Sequence, residues 1–157
     1  MSRILVVILE ENLGLRISDI LSLRLSDIVR DGDRYRLEIT EQKTKKKRVF
    51  TVPLVIRQYI ENYCLRNGIG KNEKIFDLTE RAISKQLALV CDCLGFEGIG
   101  THSFRKWYAT EIYKNNGYDI TLVQRLLQHS SAAITQRYIG IEPQRIEEAI
   151  EGHAQLL

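Results

Sequence analysis

Apolar residues in this 157-residue chain recur mostly at helical spacing, with one stretch where they alternate instead. The run over residues 3–11 predicts a first helix that ends at Leu13-Gly14. Ser18 is placed to cap a second helix that turns Ile20, Leu21 and Leu23 inward. At 31–33 the turn signal "DGD" changes the texture. "RYRLEIT" (34–40) then alternates, with Tyr35, Leu37 and Ile39 on one side, as a half-buried strand does. "RVFTVP" (48–53) reads as its partner strand, and the polar "EQKTKKK" between them makes an antiparallel hairpin over about 34–53.

Helical spacing resumes at residue 54. One helix stops at Gly68. Another, "ERAISKQLALVCDCLG", carries Ile83, Leu87, Val90 and Leu94 as one stripe and stops at Gly95. Further helices are expected over about 102–115 and 120–127, after Ser131 and after Pro143. The last has a stripe of Ile146, Ala149, Ile150 and Ala154. The fold class is therefore α+β, mainly α-helical, with a small antiparallel sheet. No repeat or flexible linker interrupts the chain, so one compact domain over 1–157 is expected.

Composition adds little to this. The residues are 44% hydrophobic and 27% charged, ordinary for a soluble globular protein, and the net charge is only +3. The apolar run from Ile4 to Leu9 is too short to span a bilayer, and Glu10 and Glu11 follow where a cleavage site would need small residues. A soluble, cytoplasmic protein is expected. Three cysteines (Cys64, Cys91 and Cys93) form neither an even disulfide set nor a four-ligand zinc site, so free thiols are expected.

The placement of charge says more than its sum. "KTKKKR" (43–48) crowds five cations at the hairpin tip, either a solvated turn or a finger for a nucleic-acid backbone. His102 and Arg105 are three apart, so they share a face near the positive end of a helix, where anions are favoured. Arg16 lies between apolar residues near a helix start. His129 follows an apolar helix, and Tyr138 comes one turn after Ile134. Each of these alone has a structural explanation.

Together they read R…K…H-x-x-R…H…Y, and here the sequence resembles the tyrosine recombinases, or phage integrases. The stretches that carry the resemblance are "GLRISD" (14–19), "QKTKKKRVFTVP" (42–53), "THSFRKWYAT" (101–110) and "LLQHSSAAITQRYIG" (126–140). The resemblance implies a DNA strand-exchange enzyme in which Tyr138 attacks a phosphodiester and forms a 3′-phosphotyrosyl link. It implies His102 as general base, Arg16 and Arg105 on the non-bridging oxygens, Lys43 as proton donor to the leaving 5′-oxygen, and His129 as a further phosphate donor. Asp19 would be a supporting residue, and Lys45, Lys46, Lys47 and Arg48 would contact DNA. No metal or other cofactor is implied. The implied partners are double-stranded DNA and further copies of the chain, a homotetramer on paired sites and a monomer when free. The sequence departs from the family in places: Leu13 and Gln128 stand where Thr and Gly are frequent, so that Gln128 would take a left-handed backbone that Gly accepts more cheaply, and Trp107 and Tyr108 are bulkier than the residues often found after the second arginine, which reads as core packing. The N-terminal core-binding and arm-binding domains that such enzymes carry are expected to be absent. A non-catalytic DNA-binding module and a relaxing enzyme of the type IB topoisomerase kind remain open on sequence alone.

Overall fold

The computed structural model describes residues 2–140 and 142–153. By contacts the chain divides into two compact units, Met1–Arg105 and Lys106–Leu157.

In the first unit, α1 (Ser2–Leu13) buries Leu5, Val6, Leu9 and Leu13 on one face. Gly14 leaves it with φ +57°, a left-handed conformation that costs glycine little. The second helix, α2 (Ile17–Ser22), starts earlier than expected. Arg16, not Ser18, is its N-cap, with no side-chain capping bond, and the Arg16 carbonyl accepts from Asp19 and Ile20 N–H. The register shift follows from burial: Ile17 and Ile20 both enter the core, which places Ser18 on the partly exposed side.

The sheet has three antiparallel strands in sequential order: β1 (Ile28–Asp31), β2 (Arg34–Thr40) and β3 (Lys47–Val52). The hairpin matches the alternating pattern, with Leu37 opposite Phe50. Tyr35, Leu37 and Ile39 all face the core. Strand β1 was not expected. It has four residues, too few to show a period, and is fixed by pairing Ile28 with Leu37 rather than by its own pattern.

Helix α3 (Leu54–Arg66) adds Ile56, Ile60 and Cys64 to the same core. Helix α4 (Glu80–Leu94) is capped by the Thr79 hydroxyl and ends at left-handed Gly95. Its apolar stripe is only partly buried: Ile83 is inside, whereas Val90 and Leu94 are exposed. Leu87 and Val90 instead line an open apolar groove with Val7, Ile8 and Phe104. The unit boundary falls within α5 (Thr101–Asn115).

In the second unit, Ala109 and Tyr113 of α5 pack with Val123 and Leu127 of α6 (Ile120–Leu127) and Ile139 of α7 (Ala132–Ile139). Asp119 caps α6 through two backbone N–H groups, and Ser131 caps α7. Gln128 ends α6 in the left-handed region, φ +55°, as its place in the sequence implied. Helix α8 spans Glu142–His153. The stripe expected there is not described as a whole, since Ala154 and the side chains of Ile146 and Ala149 lie outside the described residues. Among the described residues no helix is long and apolar enough to cross a membrane.

Candidate active site

The candidate residues fall in both units. Arg16, Lys43, His102 and Arg105 lie in the first, and His129 and Tyr138 in the second.

Arg16 ends the short turn between α1 and α2. Its guanidinium meets Glu41 at 2.5 Å. Glu41 is fully buried at the end of β2, and sequence reasoning passed it over. Burial alone would raise its pKa, but the Thr44 hydroxyl, which donates to it at 2.7 Å, and the charges of Arg16 and Arg48 outweigh that and hold it below its ordinary value. Glu41 is therefore an anion that fixes the Arg16 side chain. Its only sequence signal was an acidic residue heading a basic run.

Arg48 needs correcting. It was expected on DNA, but only 3% of it is exposed. Its guanidinium bonds the carbonyls of Gly14 (3.3 Å) and Leu13 (3.5 Å), pairs with Glu41 at 3.5 Å and lies over the Phe50 ring. Arg48 belongs to the scaffold: it ties β3 to the turn that presents Arg16. Its place on β3 opposite Ile39, a strand residue facing the core, is what turns it inward.

Asp19 is buried, and its Oδ1 accepts the Gln42 backbone N–H at 2.7 Å. That bond couples α2 to the start of the connector bearing Lys43. The connector closes on itself, with the Glu41 N–H to the Lys46 carbonyl and the Lys45 N–H to the Glu41 carbonyl. Lys43, Lys45, Lys46 and Lys47 are all exposed around this tip, and Lys45 takes a left-handed backbone.

His102 and Arg105 occupy the first turns of α5, which begins at Thr101 as the spacing predicted. His102 is exposed and Arg105 is buried. The helix start is closed by the Ser103 hydroxyl, which accepts from Gly100 N–H. Backbone N–H groups left over at this end favour negative charge beside His102.

In the second unit, Gln128 turns the chain so that His129 follows α6 and faces α7. The His129 ring meets the Tyr138 ring edge to face, with centroids 5.3 Å apart and planes at 82°. Its Nδ1 is 3.1 Å from the hydroxyl of buried Thr135. The backbone is pinned as well: His129 N–H donates to the Gln124 carbonyl, and the Gln124 amide donates to the His129 carbonyl. Thr135 was not singled out in the sequence, although it lies one turn before Tyr138 on the same face. Tyr138 is half-buried, packed against Ile139 and its neighbours in that core. Among the described residues no three metal-ligating side chains cluster.

These stretches also match known proteins. The profile described as the Phage integrase family matches residues 2–145. The probable integrase/recombinase YoeC of Bacillus subtilis (strain 168) is 37% identical over 139 residues, covering 83% of this chain and 73% of YoeC. The tyrosine recombinase XerC of Myxococcus xanthus is 31% identical over 153 residues, covering 88% of this chain and 50% of XerC. In a solved structure, the XerH site-specific recombinase bound to palindromic difH substrate in a post-cleavage complex is similar with a TM-score of 0.73 and 26% identity. That match covers 95% of this chain and 44% of the XerH chain. The chain thus spans about half the length of XerC.

Proposed function

We propose that this chain, which belongs to the phage integrase family, cuts and rejoins double-stranded DNA with Tyr138 as its nucleophile. The observation that carries the reading is the pairing of Tyr138 with His129, two rings held edge to face at 5.3 Å at the end of a capped helix.

The chemistry follows from what each side chain can do. A phenol has a pKa of roughly 10, so Tyr138 must lose its proton as it attacks. His102, exposed at a helix start, accepts that proton. The new bond joins Tyr138 Oη to phosphorus, and the bond to the 5′-oxygen breaks. Lys43 donates the proton that makes the leaving group a 5′-hydroxyl. Arg16 and Arg105 offset the charge that grows on the non-bridging oxygens, as fixed guanidinium forks do well. His129 donates a hydrogen bond to the same phosphate. The 3′-phosphotyrosyl link conserves the energy of the broken bond, so a second strand's 5′-hydroxyl reverses the step and seals a new junction. Asp19 acts indirectly, by holding Gln42 next to Lys43. Lys45, Lys46 and Lys47 hold the DNA backbone. We assign integration or excision of a mobile element to this chemistry, performed in the cytoplasm by four copies on two paired DNA sites, with the chain monomeric when free.

The test is covalent. The chain is incubated with a nicked duplex at low salt in EDTA, beside Tyr138→Phe. An adduct that survives denaturant and disappears in Tyr138→Phe is expected. An adduct that persists in the variant, or one that needs a divalent metal, would overturn the mechanism.

A further inference from the structure

Thr135 has no part in the chemistry above, yet its hydroxyl touches a residue that does. It sits on α7, one turn after the N-cap Ser131 and one turn before Tyr138. It is fully buried, so its hydroxyl must find partners within the protein. Two are in place. The hydroxyl donates to the Ser131 carbonyl at 3.3 Å, the back-bond that a helical threonine makes to the residue four before it. The same oxygen lies 3.1 Å from His129 Nδ1.

Together the two contacts fix the direction of the second. A hydroxyl has one proton, and a carbonyl oxygen can only accept. With that proton on the Ser131 carbonyl, Thr135 Oγ1 meets the imidazole with a lone pair, so Nδ1 must supply the hydrogen. A bare Nδ1 would set two lone pairs against each other at a buried hydroxyl, at the cost of an unmade bond. The ring is also held where it can make this bond. His129 N–H donates to the Gln124 carbonyl at 3.0 Å, and the Gln124 amide donates to the His129 carbonyl at 3.3 Å, so the backbone is tied on both sides. The Tyr138 ring stands across the imidazole at 82°.

We propose that Thr135 is a positioning residue for His129: it keeps the proton of the neutral imidazole on Nδ1, so that His129 gives its hydrogen bond to a phosphate as the imidazolium, through Nε2–H. This rests on the reading of His129 as a phosphate donor. The tautomer fixed by Thr135 is the opposite of the Nε2–H form that free histidine prefers in water. Nε2 is therefore the nitrogen that gains and loses the second proton. A neutral ring that engages a phosphate takes that proton from solvent, and His129 then brings a full positive charge to the contact. A charge-assisted hydrogen bond is roughly twice as strong as a neutral one, so Thr135 sets the strength of the contact as well as its direction.

The tautomer can be read without any DNA, from long-range proton–nitrogen NMR spectra of the chain labelled at its histidine nitrogens. The chain has three histidines, so the His129 signals are identified by their loss in His129→Gln. The pH is raised until the shifts stop changing and the ring is neutral. Nδ1 is then expected as the nitrogen bearing hydrogen and Nε2 as the bare one. Thr135→Val, which keeps the shape and removes the hydroxyl, shifts the proton to Nε2, and Thr135→Ser returns it to Nδ1. A native ring in the Nε2–H form, or an Nδ1–H form that persists in Thr135→Val, overturns the inference. The native spectrum alone decides the matter if the valine variant folds poorly. In Tyr138→Phe bound to an intact duplex at neutral pH, both His129 nitrogens are expected to carry hydrogen, and a neutral ring in that complex overturns the imidazolium role. Failure of the recombinase reading shows separately, as a missing adduct with the native chain.

Discussion

Two buried glutamates, in two parts of the first unit, have opposite fates. Glu41, where β2 meets the connector, is held ionised by Thr44, Arg16 and Arg48. Glu10, in the middle of α1, has no hydrogen bond to either oxygen among the described residues and is pushed toward neutrality. Both are fully inaccessible to solvent, and each feels the charge of an arginine of the candidate site, Arg16 for Glu41 and Arg105 for Glu10. Burial alone therefore does not decide the charge of an acid. The donors within reach decide it.

The comparison can be broken most forcefully at Glu41. Glu41→Ala leaves the buried Arg48 without its carboxylate, and a loss of about 3–5 kcal/mol is expected in denaturant melts. Its pKa is lowered on folding, so Glu41 contributes stability above pH 4.5 that is lost as pH falls through its depressed value. The acid limb of the native chain should flatten in Glu41→Gln.

Glu10→Leu is expected to act in the other direction. A raised folded pKa means that Glu10 favours the native state fully below 4.5 and loses that contribution progressively as pH rises to about 8. The leucine variant should therefore gain on the native chain by up to about 1.4 kcal/mol per pH unit across that window. A stability difference that stays constant with pH would erase the contrast.

Two smaller changes sharpen it. Thr44→Val removes one donor to Glu41 and should cost about 1 kcal/mol, with the Glu41 pKa moving upward by carboxyl NMR. Lys46→Ala, at the exposed tip, should leave stability within about 0.5 kcal/mol. It should lower the salt slope of DNA binding by about 1.

The alternating hairpin and the helix spacing were legible in the sequence, because a period or a stop residue encodes each locally. Strand β1 was not, since four residues carry no period and only pairing with β2 defines them. Arg48 was misread for a similar reason. In one dimension it is the last of a basic run, but the pleat turns it inward, away from the exposed lysines beside it. The burial of Glu10 and Glu41 has no local signal in the sequence. The ion pair of Glu41 with Arg16, distant in sequence, is likewise announced by no local pattern. Helix α4 shows the limit of a periodic signal: its stripe lies on one face as expected, yet Val90 and Leu94 remain at the surface.

The bonds on either side of Lys43 also bear on the entropy cost of the proposed catalysis. Gln42 is held by Asp19 and Thr44 by Glu41, so the backbone around Lys43 is already ordered before any DNA arrives. What remains to be frozen is one exposed side chain, worth roughly 2 kcal/mol of rotamer freedom, rather than a whole loop at about 1–2 kcal/mol per residue. The proton donor proposed here, mounted this way, can sweep a wide volume of solvent and still settle quickly, because only its own four torsions have to stop.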